Sequence, residues 1–352
     1  MQILKRLRDA MTDRAFDAVL ITKPENKRYI SGFTGTSGIA VVSHENAWFI
    51  TDFRYKDQAA AECKGFEIKL HTPEKSIYDV LNELNLKSLA FEDESMTVKE
   101  FDTYRENMPN TAFTPIDQLI ESLRLQKSKA EIETIKKSAS IADAAFEHIL
   151  TYIKPGMAEK EVALELEMFM KKQGASALSF DIIVASGWRS SLPHGRASDK
   201  IIENGDFVTM DFGCVYKGYC SDMTRTIVMG QATEKQRKVY ETVLKAQEAA
   251  LQYIKPGIQG KDADKIARDI ITEEGFGEYF GHGLGHGVGL EVHEAPRLAP
   301  IGEKILEKNM VVTDEPGIYI PEFGGVRIED LIVVTENGCE RLSTSPKHLI
   351  EL

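Results

Sequence analysis

The sequence predicts an α/β (α+β) chain of two domains. A small N-terminal α/β domain covers residues 1–124, and a larger C-terminal domain over residues 125–352 contains an internal repeat. Three observations carry this expectation. The length of 352 residues is about two domains' worth. Strand-like and helix-like patterns alternate through the first third of the chain. The word Tyr-Ile-Lys-Pro-Gly occurs twice, at Tyr152–Gly156 and Tyr253–Gly257.

At the start, Ile3, Leu4, Leu7 and Met11 recur at helical spacing, interrupted by Lys5, Arg6, Arg8 and Asp9. That pattern is an amphipathic helix, not the unbroken apolar run of a signal peptide. Strand-like runs follow at Ala18–Thr22, Ile39–Ser43, Ala47–Thr51, Phe66–His71 and Leu89–Glu92. Helix-period stretches lie between and after them, at Tyr55–Cys63, Ile77–Leu84 and Val98–Asn107, and the small domain's α/β pattern ends near Pro115. The segment Leu119–Ala139 is rich in Lys, Glu, Ile and Leu and reads as helix, with the domain boundary near Leu123–Lys129. In the second domain each Tyr-Ile-Lys-Pro-Gly word closes one helical pattern and precedes another, Glu159–Gln173 or Asp262–Glu274. Pro beyond a helix end with Gly beside it is a stop signal. A β-rich segment follows each helix pair. The expectation is two copies of an α-α-β-β unit related by a pseudo-two-fold axis, with a site in the cleft between them.

Composition narrows the function. The formal net charge is −12, so no large basic field is offered to nucleic acid or to an anionic membrane. No apolar run is long enough to span a bilayer. Cys63, Cys214, Cys220 and Cys339 form no CxxC pair and are too sparse for a disulfide scaffold, which fits a cytoplasmic protein.

The chemistry lies in the second domain. Phe207–Cys214 and Tyr219–Val228 are strand-like, and a hairpin centred between Tyr216 and Lys217 sets Asp211 directly opposite Asp222. Like charges facing each other in a sheet are unfavourable unless a cation compensates them. Further on, Gly281–Glu294 holds His282, His286 and His293 among glycines. The glycines let backbone approach closely, and histidine supplies a neutral ligand or a proton donor. Glu315 closes a β-rich run, Met310–Thr313. Glu329 lies on a strand continuing to Thr335, ahead of an Asn337-Gly338 hairpin turn, and shares a face with Arg327. Four carboxylates with histidine suit Mn²⁺, Co²⁺ or Fe²⁺, and Zn²⁺ less selectively. The cysteine pattern excludes an all-sulfur zinc site. Several shared carboxylates favour two metal ions with a water or hydroxide between them. Spacing alone leaves either His282 or His286 as the imidazole ligand.

At these residues the sequence resembles the prolidase and aminopeptidase P branch of the methionine-aminopeptidase-like metallopeptidases. Tyr29–Gly35 and Thr51–Tyr55 look like the branch's small N-terminal domain, and the second part looks like its pita-bread catalytic domain. The resemblance implies a ligand set of Asp211, Asp222, His286, Glu315 and Glu329 around two divalent metal ions, Mn²⁺ first, with Asp222 and Glu329 bridging. It implies a metal-bridging hydroxide as nucleophile and Glu315 as the group that handles its proton. His293 matches a histidine that steadies the substrate carbonyl. His282 and His194 match substrate-site histidines, and Arg327 matches an arginine that orients carboxylate ligands. Arg297 matches an arginine that holds a substrate's C-terminal carboxylate, although it could equally pair with a nearby acid. The expected activity is hydrolysis of Xaa-Pro dipeptides by a cytoplasmic homodimer.

Within the family, aminopeptidase P action on longer peptides is the main alternative. A non-catalytic binding protein and a creatinase-like hydrolase should both have lost the ligand set, which is complete here. Trp188 and the charged Asp314 beside Glu315 have no assigned place.

Overall fold

In the computed structural model, which describes residues 2–12 and 14–352, the chain divides into two units, Met1–Arg124 and Leu125–Leu352. In the first unit, α1 (Gln2–Met11) buries Leu4, Leu7 and Met11, the stripe that the helical spacing predicts. There follow β1 (Ala18–Ile21), α2 (Pro24–Ser31), β2 (Ile39–Ser43), β3 (Ala47–Thr51), α3 (Lys56–Glu62), β4 (Glu67–Leu70), α4 (Ile77–Asn82), β5 (Ser88–Phe91), α5 (Val98–Asn107), β6 (Ala112–Pro115) and α6 (Leu119–Arg124). The six strands form one mixed sheet in the order β4-β3-β2-β1-β5-β6. Its central strands β1 and β2 are buried along their whole length, and Leu20, Val41, Ile50 and Leu89 pack with Val80 and Tyr104.

The helix expected over Leu119–Ala139 is broken. It ends at Arg124 as α6, and α7 (Lys129–Tyr152) begins only after Ser128. The Ser128 side chain accepts from Glu131 N at 3.3 Å, and the Glu131 carboxylate accepts from Ser128 N at 2.8 Å. That capping box starts a new helix. Lys127 N donates instead to Asn309 O, so the intervening backbone is satisfied outside any helix.

The second unit continues with α8 (Glu159–Lys172), β7 (Ala177–Leu178), β8 (Ile183–Ser186), β9 (Phe207–Phe212), β10 (Cys214–Tyr216), β11 (Tyr219–Cys220) and β12 (Met223–Val228). Then come α9 (Glu234–Tyr253), α10 (Gly260–Glu273), β13 (Gly285–Gly287), β14 (Glu294–Leu298), β15 (Val311–Asp314), β16 (Gly317–Ile320), β17 (Gly324–Arg327), β18 (Asp330–Val334) and β19 (Cys339–Arg341). Two helices followed by strands therefore occur twice. One spacing carries Tyr152 to Tyr253, Gly156 to Gly257 and Gly174 to Gly275, and all four glycines have positive φ. The residues before α8 and α10, Ala158 and Gln259, each form an antiparallel bridge, to Ile201 and Ile305. Helices α7 and α8 pack on β8, β9 and β12 through Phe146, Leu166, Val184 and Met210. Helices α9 and α10 pack on β15 and β18 through Val243, Ala267, Val312 and Ile332.

Two expected registers differ. The hairpin turn is Lys217-Gly218, both with positive φ, so Tyr216 pairs with Tyr219. A type I′ hairpin turn requires that left-handed pair, and Gly218 meets it without strain. The ladder consequently sets Asp211 opposite Thr224, not Asp222. Glu329 is not inside a strand. The expected strand to Thr335 splits into β17, paired with β16, and β18, paired with β15. Glu329 lies between them, its N–H donating to Thr224 O at 3.1 Å.

Candidate metal centre and substrate cavity

Five short segments of the second unit meet around one cavity of about 450 Å³. Asp211 comes from the end of β9, and Asp222 immediately precedes β12. His286 is the middle residue of β13, Glu315 follows β15, and Glu329 joins β17 to β18. His194, His282, His293, Arg297 and Arg327 line the same cavity, so all ten residues singled out in the sequence converge there. The glycine spacing around His286 has a steric cause. A Cβ at Gly285 would meet Thr313 O at 2.1 Å, and one at Gly287 would meet Ala295 O at 2.2 Å. Only glycine lets the neighbouring backbones come this close to β13.

The carboxylates are held from behind. Thr224 Oγ1 donates to Glu329 Oε2 at 2.7 Å and accepts from Arg327 Nε at 3.0 Å. Arg327 Nη2 donates to Asp211 Oδ2 at 2.6 Å. Thr313 Oγ1 accepts from His286 N at 3.0 Å and donates to Glu315 Oε1 at 2.9 Å. His286 Nδ1 donates to Gly287 O at 3.1 Å, and its Nε2 lies 3.6 Å from Asp222 Oδ2 and 3.2 Å from Glu315 Oε1. Both nitrogens of His282 are engaged by protein: Nδ1 with Gly283 O at 2.8 Å, Nε2 with the Tyr319 hydroxyl at 2.8 Å. Tyr319 in turn accepts from Arg327 Nη1 at 2.8 Å. The bonds therefore run in one direction, from Arg327 through Tyr319 to His282.

Such a cluster of buried acids is costly without positive charge. Burial, reinforced by Glu329 and Asp211, raises Asp222 well above the usual carboxylate range. Burial and the charges of Glu315 and Asp211 raise Glu329 in the same way, and burial raises Asp211 despite Arg327. Burial also pushes on Glu315, but the hydrogen bond and charge of His286 outweigh it and bring the carboxyl to about 2. Burial lowers both His282 and His293, favouring neutral rings. Asp211 Oδ1 and Glu329 Oε1 are buried with no hydrogen-bond partner among the described residues. Asp222, His286 and Glu329 offer ligand atoms that all lie within 4.8 Å of one another. Unpartnered carboxylate oxygens, mutually raised acids and a converging imidazole fit a divalent cation.

The cavity and its supports also include residues that the sequence did not single out. Tyr319 is buried, and its hydroxyl is pushed up to about 12 by burial. Thr224 and Thr313 fasten the carboxylates, and Phe180, Ile183 and Pro193 supply apolar wall. Tyr319 stands in a Gly-Ile-Tyr-Ile strand, which reads as sheet interior, so no local signal separates it from core. Asp314 points away from the cavity. It is fully buried opposite Asp330 and accepts from Gln247 at 3.1 Å. Trp188 sits on a turn with 54% of its surface exposed and does not line the cavity. Arg297, opposite His286 in the β13–β14 ladder, is exposed to the cavity and makes no ion pair among the described residues.

Known proteins resemble this chain over its whole length. Residues 133–336 match the model of metallopeptidase family M24, and residues 3–126 match the Creatinase/Prolidase N-terminal domain. The chain is 44% identical to an Xaa-Pro dipeptidase of Pyrococcus furiosus over 99% of both chains. It superposes on an Xaa-Pro dipeptidase from Bacillus anthracis with a TM-score of 0.97 and 51% identity, covering 100% of this chain and 99% of that one. An X-Pro aminopeptidase from Thermotoga maritima gives a TM-score of 0.91 at 40% identity over 99% of both. No helix among the described residues is long and apolar enough to cross a membrane.

Proposed function

The chain belongs to metallopeptidase family M24, and on that premise we propose that it hydrolyses Xaa-Pro dipeptides with two bound divalent cations, Mn²⁺ first. The observation that carries this is the convergence of Asp211, Asp222, His286, Glu315 and Glu329 on one cavity, with Asp211 Oδ1 and Glu329 Oε1 lacking a hydrogen-bond partner among the described residues. Those five residues would hold the cations, with Asp222 and Glu329 shared. His286 rather than His282 would be the imidazole ligand: its Nε2 faces Asp222 and Glu315, whereas the His282 nitrogens face Gly283 O and the Tyr319 hydroxyl. Once bound, the cations supply a nucleophile from water near neutral pH and polarise the scissile carbonyl.

The protein's own groups complete the reaction. Glu315, kept ionised beside His286, takes the proton of the attacking water and passes it to the proline nitrogen as the C–N bond breaks. His293, whose ring packs 4.2 Å from that of His286, and His194 donate hydrogen bonds to the carbonyl oxygen as it gains charge. Arg327 keeps Asp211 aimed inward, and Tyr319 and His282 brace it from the other side. Proline's nitrogen carries no N–H, so the site need only accept a tertiary amide and its ring. Arg297 is suited to clamp the substrate's terminal carboxylate with its planar fork, which selects dipeptides. The likeness to an X-Pro aminopeptidase favours a second reading, cleavage of longer Xaa-Pro-Xaa peptides. Four free thiols support a cytoplasmic setting, and we propose a homodimer, to be checked by sedimentation.

Metal-stripped protein, with Mn²⁺, Co²⁺, Zn²⁺ or nothing added, decides the matter against one Xaa-Pro dipeptide and one Xaa-Pro-Xaa tripeptide. Metal-dependent cleavage of the dipeptide is expected, strongest with Mn²⁺. Turnover of the tripeptide alone would move the activity to the aminopeptidase and remove Arg297 from its role.

A further inference from the structure

Residues 127–132 fall between the two matched segments, and Lys127 there does something unusual for a lysine. Its side chain is 1% exposed and its Nζ donates to Glu294 Oε1 at 2.7 Å, with Leu125 O at 3.3 Å. Glu294 directly follows His293 and is itself only 8% exposed at the side chain. It opens β14 opposite Gly287, where the ladder shifts register beside His286. A Cβ at Gly289 would meet Glu294 Oε1 at 2.5 Å, so the carboxylate sits inside the 288–293 turn that carries His293. Lys127 is itself immobilised: Lys127 N donates to Asn309 O at 2.9 Å, Leu125 packs in the core, and Ser128 caps α7.

We propose that Lys127 is a positioning residue for the reaction: by holding Glu294, it fixes the turn that presents the His293 ring to the substrate carbonyl. The inference rests on the proposed role of His293. A buried ion pair is weak evidence for stability in itself, because the desolvation of both charges offsets their attraction. Fixing one geometry is its better-attested use. A lysine buried at the entry to the catalytic unit and spent on the residue next to a catalytic histidine fits that use.

The test uses the full-length protein loaded with Mn²⁺. Lys127→Met is expected to lower kcat on the Xaa-Pro dipeptide about 10–100-fold, the range for residues that orient a site from behind. KM and bound metal should stay near wild type, because no ligand is touched. Lys127→Arg should restore most of the rate. Combined with His293→Ala, K127M should add little further loss, since both act through one ring. In histidine-labelled protein loaded with diamagnetic Zn²⁺ in place of Mn²⁺, the His293 ring signal, assigned by its absence in H293A, should move in K127M and return in K127R. A wild-type rate in K127M, losses that multiply with H293A, lost metal, or an unmoved His293 signal would each overturn the proposal. Should K127M not fold, Glu294→Gln carries the same comparison from the other end of the pair. If wild-type protein fails to cleave the dipeptide, the proposed activity falls, and the His293 signal still decides the role of Lys127.

Discussion

Thr224 is small, uncharged and easily passed over, yet it joins three functional residues. Its hydroxyl is donor to Glu329 and acceptor from Arg327, while its strand register places it opposite Asp211. Replacement by valine keeps the volume and leaves the buried Arg327 Nε without that acceptor. T224V is therefore expected to weaken Mn²⁺ binding or kcat about 10–100-fold, read by metal titration calorimetry and initial rates. Unchanged affinity and rate would mean that Glu329 is held by its backbone bond to Thr224 O alone. Arg225, one residue on, works through backbone: it donates to Thr224 O and Glu329 O and pairs with Asp330 at 2.8 Å, tying the C-terminal Ser345-Pro346 to the same spot.

At the scale of elements, helix ends and turns decide what the site can become. The Lys217-Gly218 turn sets the β9–β12 register and with it the distance between the two aspartates. In the first unit, α2 has no capping side chain of its own. Glu92, just past β5, reaches its N-terminus instead, accepting from Thr22 N at 2.6 Å and Lys23 N at 2.8 Å. Burial raises the Glu92 carboxyl above its ordinary range even so. An acid raised by folding stabilises the native state where it is protonated in both states, and that contribution is lost as pH rises through the folded value. Glu92→Gln cannot ionise. Its stability in urea is expected to lie below wild type at about pH 5, because an acceptor is lost, and the gap should narrow toward about pH 8. A gap independent of pH would show that Glu92 ionises in the folded protein as easily as in the unfolded chain.

Across the whole molecule, every candidate ligand lies in Leu125–Leu352, and each half of its duplicated pattern contributes. The first copy supplies two aspartates, and the second supplies the histidine and two glutamates. A cation bound between them adds stability by mass action, about 2.7 kcal/mol at 100 times its dissociation constant. Adding Mn²⁺ to stripped protein should slow amide exchange in β9, β12 and β18 by that margin. The β1–β6 sheet, which holds no candidate ligand, should change far less. Equal protection of both would place metal binding elsewhere.

Much of this is legible in the amino-acid sequence. Repeated Tyr-Ile-Lys-Pro-Gly, alternating strand and helix runs, and a set of acids and histidines in strand-and-glycine contexts are local properties, readable because secondary structure and ligand chemistry depend on residue type and short spacing. They make the helix pairs and the acid and histidine clusters readable, while His194 and Arg297 are picked out only through the family resemblance. What tertiary structure alone decided depends on partners far apart in sequence. It broke the Leu119–Ala139 helix by drawing Lys127 N to Asn309, moved the Asp211 partner to Thr224, and lifted Glu329 out of its strand. It closed both nitrogens of His282 with Gly283 and Tyr319, leaving His286 Nε2 toward the acids. It also joined Lys127 to Glu294. A buried polar group must find its partner wherever packing supplies one, and sequence spacing carries no record of that choice.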